Sequence, residues 1–211
     1  VDLGRYEEAA QRFREASDLS AGHAPALRAW RRAALCQGQF VDLVDCCERE
    51  AAGAHDAAER ARLYHLAAIA AMDRLGDEAR AMDNLRRVLA GDAGNEDAFV
   101  RLTGLLAARG ELVELAQRLA ARVGHERDRD KILALHRRLA ELYLEHLGDR
   151  DRAKVHLHAV VSAQPNDLRA VVLLSDLAWE QGHWAEAAEA LTLRSRLERD
   201  PEVAKEVFMR L

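Results

Sequence analysis

Metal binding, acid–base catalysis and covalent catalysis each need particular side chains at particular spacings. This chain of 211 residues offers nine histidines, three cysteines and a few hydroxyls for such work. No two histidines stand four apart, and His156 and His158, two apart, project to different sides of a helix. His125-Glu126 runs on into Arg127-Asp128-Arg129, so it does not complete the H-E-x-x-H zinc motif. Cys36, Cys46 and Cys47 are too few and too unevenly placed for a disulfide framework or a zinc site. Cys47 falls at a large apolar position of its segment, where a thiol acts as a small hydrophobe. Ser162 and Ser175 lie in no Gly-x-Ser-x-Gly turn, and no glycine-rich phosphate loop precedes a lysine. The expectation is a chain with no catalytic residue, no metal and no cofactor, which is not an enzyme.

Composition points to other work. Three prolines and twelve glycines, in a chain rich in Ala, Leu, Arg and Glu, favour helix almost throughout. The 31 basic and 36 acidic residues leave a net charge of −5, which opposes a phosphate-binding surface and argues against nucleic acid. Lysine appears only at Lys131, Lys154 and Lys205, an arginine bias associated with GC-rich bacterial genomes. No apolar run approaches the roughly 20 residues of a membrane span, so the chain reads as soluble. Unpaired cysteines favour a reducing compartment, hence the cytoplasm, with the periplasm as the alternative because the start of the parent chain is not visible.

The elements follow from a periodicity. Gly4, Gly38, Gly76, Gly110, Gly148 and Gly182 recur at alternating intervals, a shorter one of about 34 and a longer one of about 38. Between them run helix-length amphipathic segments, with breaks at Ser20-Ala21-Gly22-His23, Gly53, Gly91 to Asn95 and Gln164-Pro165-Asn166-Asp167. Apolar stripes include Tyr6, Ala9, Ala10, Phe13 and Ala16 in the first segment and Leu27, Trp30, Ala34 and Leu35 in the second. Trp184, Ala187, Ala188 and Leu191 form one near the end. Asp56, Asp77, Asp149, Asp167 and Asp200 are placed to cap helix starts, and Asp200-Pro201-Glu202 adds a proline and an acid in the first turn. The residue five beyond each glycine runs Ala9, Leu43, Ala81, Leu115, Ala153 and Ala187, which alternates until the last. The repeating unit is therefore two hairpins of different kind, about 72 residues in all, with the extra turn placed in helices over 57–75 and 129–147.

These hairpins resemble tetratricopeptide repeats across essentially the whole chain. Ala9, Phe13 and Ala16, and Ala187 with Leu191, fit the consensus of the second helix. Leu102, Leu174 and Trp30 stand at the consensus leucine of the first, and Pro165 at the consensus proline. The resemblance implies an all-α, right-handed superhelical solenoid of stacked antiparallel helix pairs. It implies one repeat domain over 1–211, expected to be a piece of a longer chain that begins and ends within a repeat. It further implies a non-catalytic scaffold holding a protein or peptide on its concave face. The polar groups expected there are Arg28, Arg32, Arg101, Arg138, Asp176 and Trp179, a spread of guanidinium with one aromatic that suits an acidic partner. Chaperone C-termini are disfavoured, because Leu, Val, Arg or Gly replaces the Lys/Asn clamp. The alternative is a structural spacer or self-associating rod, suggested by apolar ends at Leu3 and Phe13 and at Phe208 and Leu211.

Overall fold

The computed structural model describes residues 3–19 and 23–210, with side chains described over 7–18 and 23–209. The side chains of Leu3, Tyr6 and Leu211, and the break at Ser20 to Gly22, lie outside the described residues. The described chain is all-α, with no strand, and falls into two compact units, residues 1–109 and 110–211. The first holds α1 (Leu3–Leu19), α2 (Ala24–Gln37), α3 (Phe40–Gly53), α4 (Ala57–Ala70), α5 (Glu78–Gly91) and α6 (Glu96–Arg109). The second holds α7 (Leu112–His125), α8 (Arg129–Leu142), α9 (Arg150–Ala163), α10 (Leu168–Glu180), α11 (Trp184–Leu197) and α12 (Pro201–Arg210). Within each unit every helix packs on the next along the chain, the arrangement of a helical-repeat fold.

The periodic glycines do one job. Gly38, Gly76, Gly110, Gly148 and Gly182 take φ values of 64° to 72°, the left-handed conformation that ends a helix without a Cβ clash. Gly4 does not: it lies inside α1, which begins at Leu3. The first interval of the periodic series is thus a feature of sequence spacing and not of a shared turn.

The extra turn sits in the helices expected to hold it. α4 and α8 each run on into a π-helical turn, Ala71–Leu75 and Tyr143–Leu147, before Gly76 and Gly148. Four added residues exceed one α turn by about 0.4 residue, which would rotate the following glycine out of phase. A π turn, bonded i→i+5, winds less per residue and takes up that excess. The Asp77 amide then donates to the Ala71 carbonyl at 2.9 Å and the Asp149 amide to that of Tyr143 at 3.0 Å, one closure repeated in successive two-hairpin units. Asp56, Asp128 and Asp200, spaced by the same unit, each accept from two amides of the next helix. Such caps contribute on the order of 1 kcal/mol apiece.

Burial follows the same register. Leu43, Ala81, Leu115, Ala153 and Ala187 are all 3 % exposed or less. The core of the first unit gathers Leu27, Trp30, Leu43, Val44, Cys46 and Cys47 with Ala67, Ala71 and Ala81 of the next pair. Each large group so buried contributes about 1.5–3 kcal/mol. Three residues assigned to apolar stripes do not join the core: Leu35 is 48 % exposed, Trp184 63 %, and Ala188 is exposed as well. Trp184 leads α11 beside Gly182 and stacks edge-on against Trp179 rather than turning inward.

Because a Cβ on Gly76 would meet nothing within 4 Å, replacing it tests backbone strain alone. Gly76→Ala should destabilise the fold by about 1–2 kcal/mol, and Gly76→Asn by less, in urea unfolding followed by circular dichroism.

Candidate functional site

α2 presents Arg28 and Arg32 one turn apart, both exposed and neither with a hydrogen bond or ion pair among the described residues. Pro25 in the first turn and the His23 Nδ1, which accepts from the Ala26 amide at 3.3 Å, fix where the helix starts and so which face these arginines share. Leu35 and Cys36 follow at the spacing that continues the stripe, also exposed. Behind it, Arg31 lies 3.0 Å from Glu50, a buried carboxylate whose pKa is raised by burial, with Arg31 and Arg28 opposing that rise.

The other expected groups are differently placed. Arg101 on α6 is engaged: its Nε donates to Asp97 at 2.8 Å, and Asp73 stands 3.8 Å away. The His65 Nε2 reaches the same Asp97 oxygen at 2.7 Å, and together these partners hold the Asp97 carboxyl below its usual range. Arg138 on α8 is exposed, with no partner among the described residues. Asp176 accepts from Arg194 of α11 at 2.9 Å. Trp179 meets Trp184 with ring centroids 5.3 Å apart at 80°. Arg28 and Arg32 share α2, and Asp176 and Trp179 share α10, whereas Arg101 and Arg138 belong to different units.

Several constellations escaped the sequence reading because their members lie on different helices. Arg80 of α5 reaches both Glu48 and Asp45 of α3, and Asn84 adds a bond to Glu48. Burial alone would raise Glu48, but Arg80 and Asn84 outweigh it and hold the carboxyl low. The Cys46 thiol is pushed far up by a hydrogen bond with the Cys47 thiol and by burial, which leaves it an inert packing group. His136 of α8 and His156 of α9 meet Nδ1 to Nδ1 at 3.0 Å, with Tyr143 stacked on His156. Their ring centroids are 5.2 Å apart, close to the N–N separation plus the two centroid-to-nitrogen distances. The ring axes are therefore nearly collinear, the geometry of one N–H···N hydrogen bond and not of two lone pairs converging on an ion. Only the two-hairpin register signalled the pair, by placing it at the positions of Tyr64 and Asn84.

Among the described residues the second unit includes two notable cavities. One of about 110 Å³ is bordered by Arg137, Glu141, Asp167 and Arg169, whose charges pair off as Arg137 with Asp167 and Arg169 with Glu141. A larger one, about 280 Å³, opens between α9 and α11.

A family model of the tetratricopeptide repeat matches residues 144–205. With the helix pairs described above, this bears out the tetratricopeptide resemblance and the all-α repeat fold. Solved structures similar to the chain include the MamA protein, at 14 % identity over 83 % of this chain and 91 % of that one, with a TM-score of 0.43. YrrB, described as a TPR protein with an unusual peptide-binding site, shows 15 % identity over 95 % and 99 %, at a TM-score of 0.43. PilF of Pseudomonas aeruginosa shows 14 % identity over 97 % and 83 %, at 0.42. No curated protein matches the chain. No helix among the described residues is long and apolar enough to cross a membrane.

The histidine pair generates a pH dependence. Burial lowers the pKa of both His136 and His156, and for His156 the neighbouring His136 adds to it. The folded form thus binds fewer protons than the unfolded chain. Stability from the pair is complete above the unfolded pKa of about 6.5 and is lost as pH falls below it. Urea midpoints should fall for the parent protein as the pH is taken from neutral to mildly acidic. They should fall less for His136→Tyr with His156→Asn, which installs the residues of the first unit.

Proposed function

We propose that the chain is a non-catalytic scaffold that binds a protein or peptide through the first helices of its repeats, on the concave side such repeats present. The observation that carries this reading is the pair Arg28 and Arg32, exposed and without ion-pair partners among the described residues, in a chain where many other guanidiniums are paired. Two exposed guanidinium forks on one helix face suit a partner with carboxylates at matching spacing. Arg138 and Trp179 extend the candidate surface; Arg101 and Asp176, already paired, help shape it more than they bind. In this reading residues 1–211 act as a repeat array. The free cysteines, two of them buried, suit the cytoplasm.

A second reading, self-association, has its own support. By the two-hairpin register α12 is the counterpart of α4 and α8, and α1 of α5 and α9, the helices that pack on them. Phe208 of α12 is 63 % exposed where Tyr64 of α4 is 7 %. Ala9, Phe13 and Ala16 of α1 are half-buried, where their counterparts in α5 and α9 are 2 % exposed or less. The two apolar faces are complementary in kind, and in this reading α12 of one copy seats on α1 of the next.

Arg28→Ala with Arg32→Ala should leave helicity unchanged and weaken binding of the physiological partner at least tenfold; unaltered affinity would remove α2 from the binding surface. For the second reading, sedimentation should show mass rising with concentration in the absence of ligand, and Phe208→Glu should abolish that rise.

A further inference from the structure

The cavity between α9 and α11 has an internal explanation, because its wall residues have counterparts two full repeat units earlier in the chain. In the first unit the corresponding space is filled. Trp30, 1 % exposed, occupies it, and the guanidiniums of Arg14 and Arg49 lie over its ring at 5.3 and 5.5 Å from the centroid. Arg14 is held by Asp42, and Arg49 by Asp18 with the Ser17 hydroxyl. In the second unit Leu174 stands for Trp30, Leu193 for Arg49 and His158 for Arg14. An indole and a guanidinium have been replaced by two isobutyl groups, and about 280 Å³ is left open.

The acids remain. Glu186, the counterpart of Asp42, is kept ionised by Lys154 at 2.9 Å and by His158, against the opposing effect of burial. Glu189 stands on the cavity wall, exposed and with no partner among the described residues. The floor is apolar: Val161, Leu174 and Ala190 are 7, 3 and 3 % exposed. We propose that this cavity is a docking site for an arginine side chain of a partner protein, accompanied by a bulky apolar neighbour. The arginine stem and its neighbour take the space of Arg49 and Trp30, and the guanidinium forks onto Glu189. An acidic side chain would face Glu189 across the same gap, and an uncharged one would cover that carboxylate without a compensating bond.

This site lies between second helices of the repeats and does not rest on the α2 surface, so the two stand or fall separately. The probes are acetyl-Trp-Arg-amide and acetyl-Trp-Glu-amide, titrated into the whole chain by calorimetry and by amide chemical shifts. The arginine peptide should bind at least fivefold more tightly and shift the amides of Leu174, Ala190 and Leu193. Glu189→Gln should erase most of that preference. Leu174→Trp with Leu193→Arg should close the site from within, losing binding by tenfold or more while the melting temperature holds or rises. Arg28→Ala with Arg32→Ala should leave the titration unchanged. Equal affinity for the two peptides, shifts confined to other helices, or full binding by the filled variant would each overturn the proposal, as would no binding at all.

Discussion

No helix pair in this chain can bury both its faces against itself. Two helices of about 14 residues leave one side of each open, and isolated helices of that length are marginal in water. The side five positions past each turn glycine is therefore the face on which the fold depends. That position is closed to solvent at Leu43, Ala81, Leu115, Ala153 and Ala187. In α1 the same position, Ala9, is only half-buried. Stability in such a chain is a sum of neighbour contacts, so each repeat's core is built from the pair before and the pair after.

That dependence makes phase the second constraint. A helix longer by four residues would turn its glycine away from the required side, and the π turns at Ala71–Leu75 and Tyr143–Leu147 bring it back. The period that governs packing is thus the pair of hairpins and not the single one. Reading positions in that register exposes divergence that a single-repeat consensus conceals. Tyr64 and Asn84 become His136 and His156. Trp30 with two guanidiniums becomes a leucine-lined hollow. Repeats keep their shared contacts and vary the rest.

The electrostatics follow the stacking. Arg80 on Asp45 and Glu48, and Lys154 on Glu186, join second helices of successive pairs, while Arg137 on Asp167 and Arg101 on Asp73 join first helices. Partly exposed pairs of this sort contribute up to about 1 kcal/mol each, less in salt. Their larger effect is to decide which charges stay free. Arg101 and Asp176 read from the sequence as groove groups available to a ligand; the fold gives each a hydrogen-bond partner, whereas it gives Arg28, Arg32 and Arg138 no hydrogen bond or ion pair among the described residues.

Spacing of the turn glycines, the alternating residue beyond them, the capping aspartates and the placement of the extra turn were all legible in the chain itself. Each is a local requirement: a left-handed φ, a hydrogen bond to the first amides, one face of one helix. The solvent exposure of Leu35 and Trp184 was not legible, nor was the helical continuation through Gly4. The meeting of His136 with His156 and the hollow at Leu174 and Leu193 were equally hidden. Those depend on which side chain a neighbouring helix, remote along the chain, brings to the same point, and periodicity within one helix cannot encode that. Local chemistry settled the repeat, and only helix-on-helix packing settled which of its groups are spent inside the fold and which face outward.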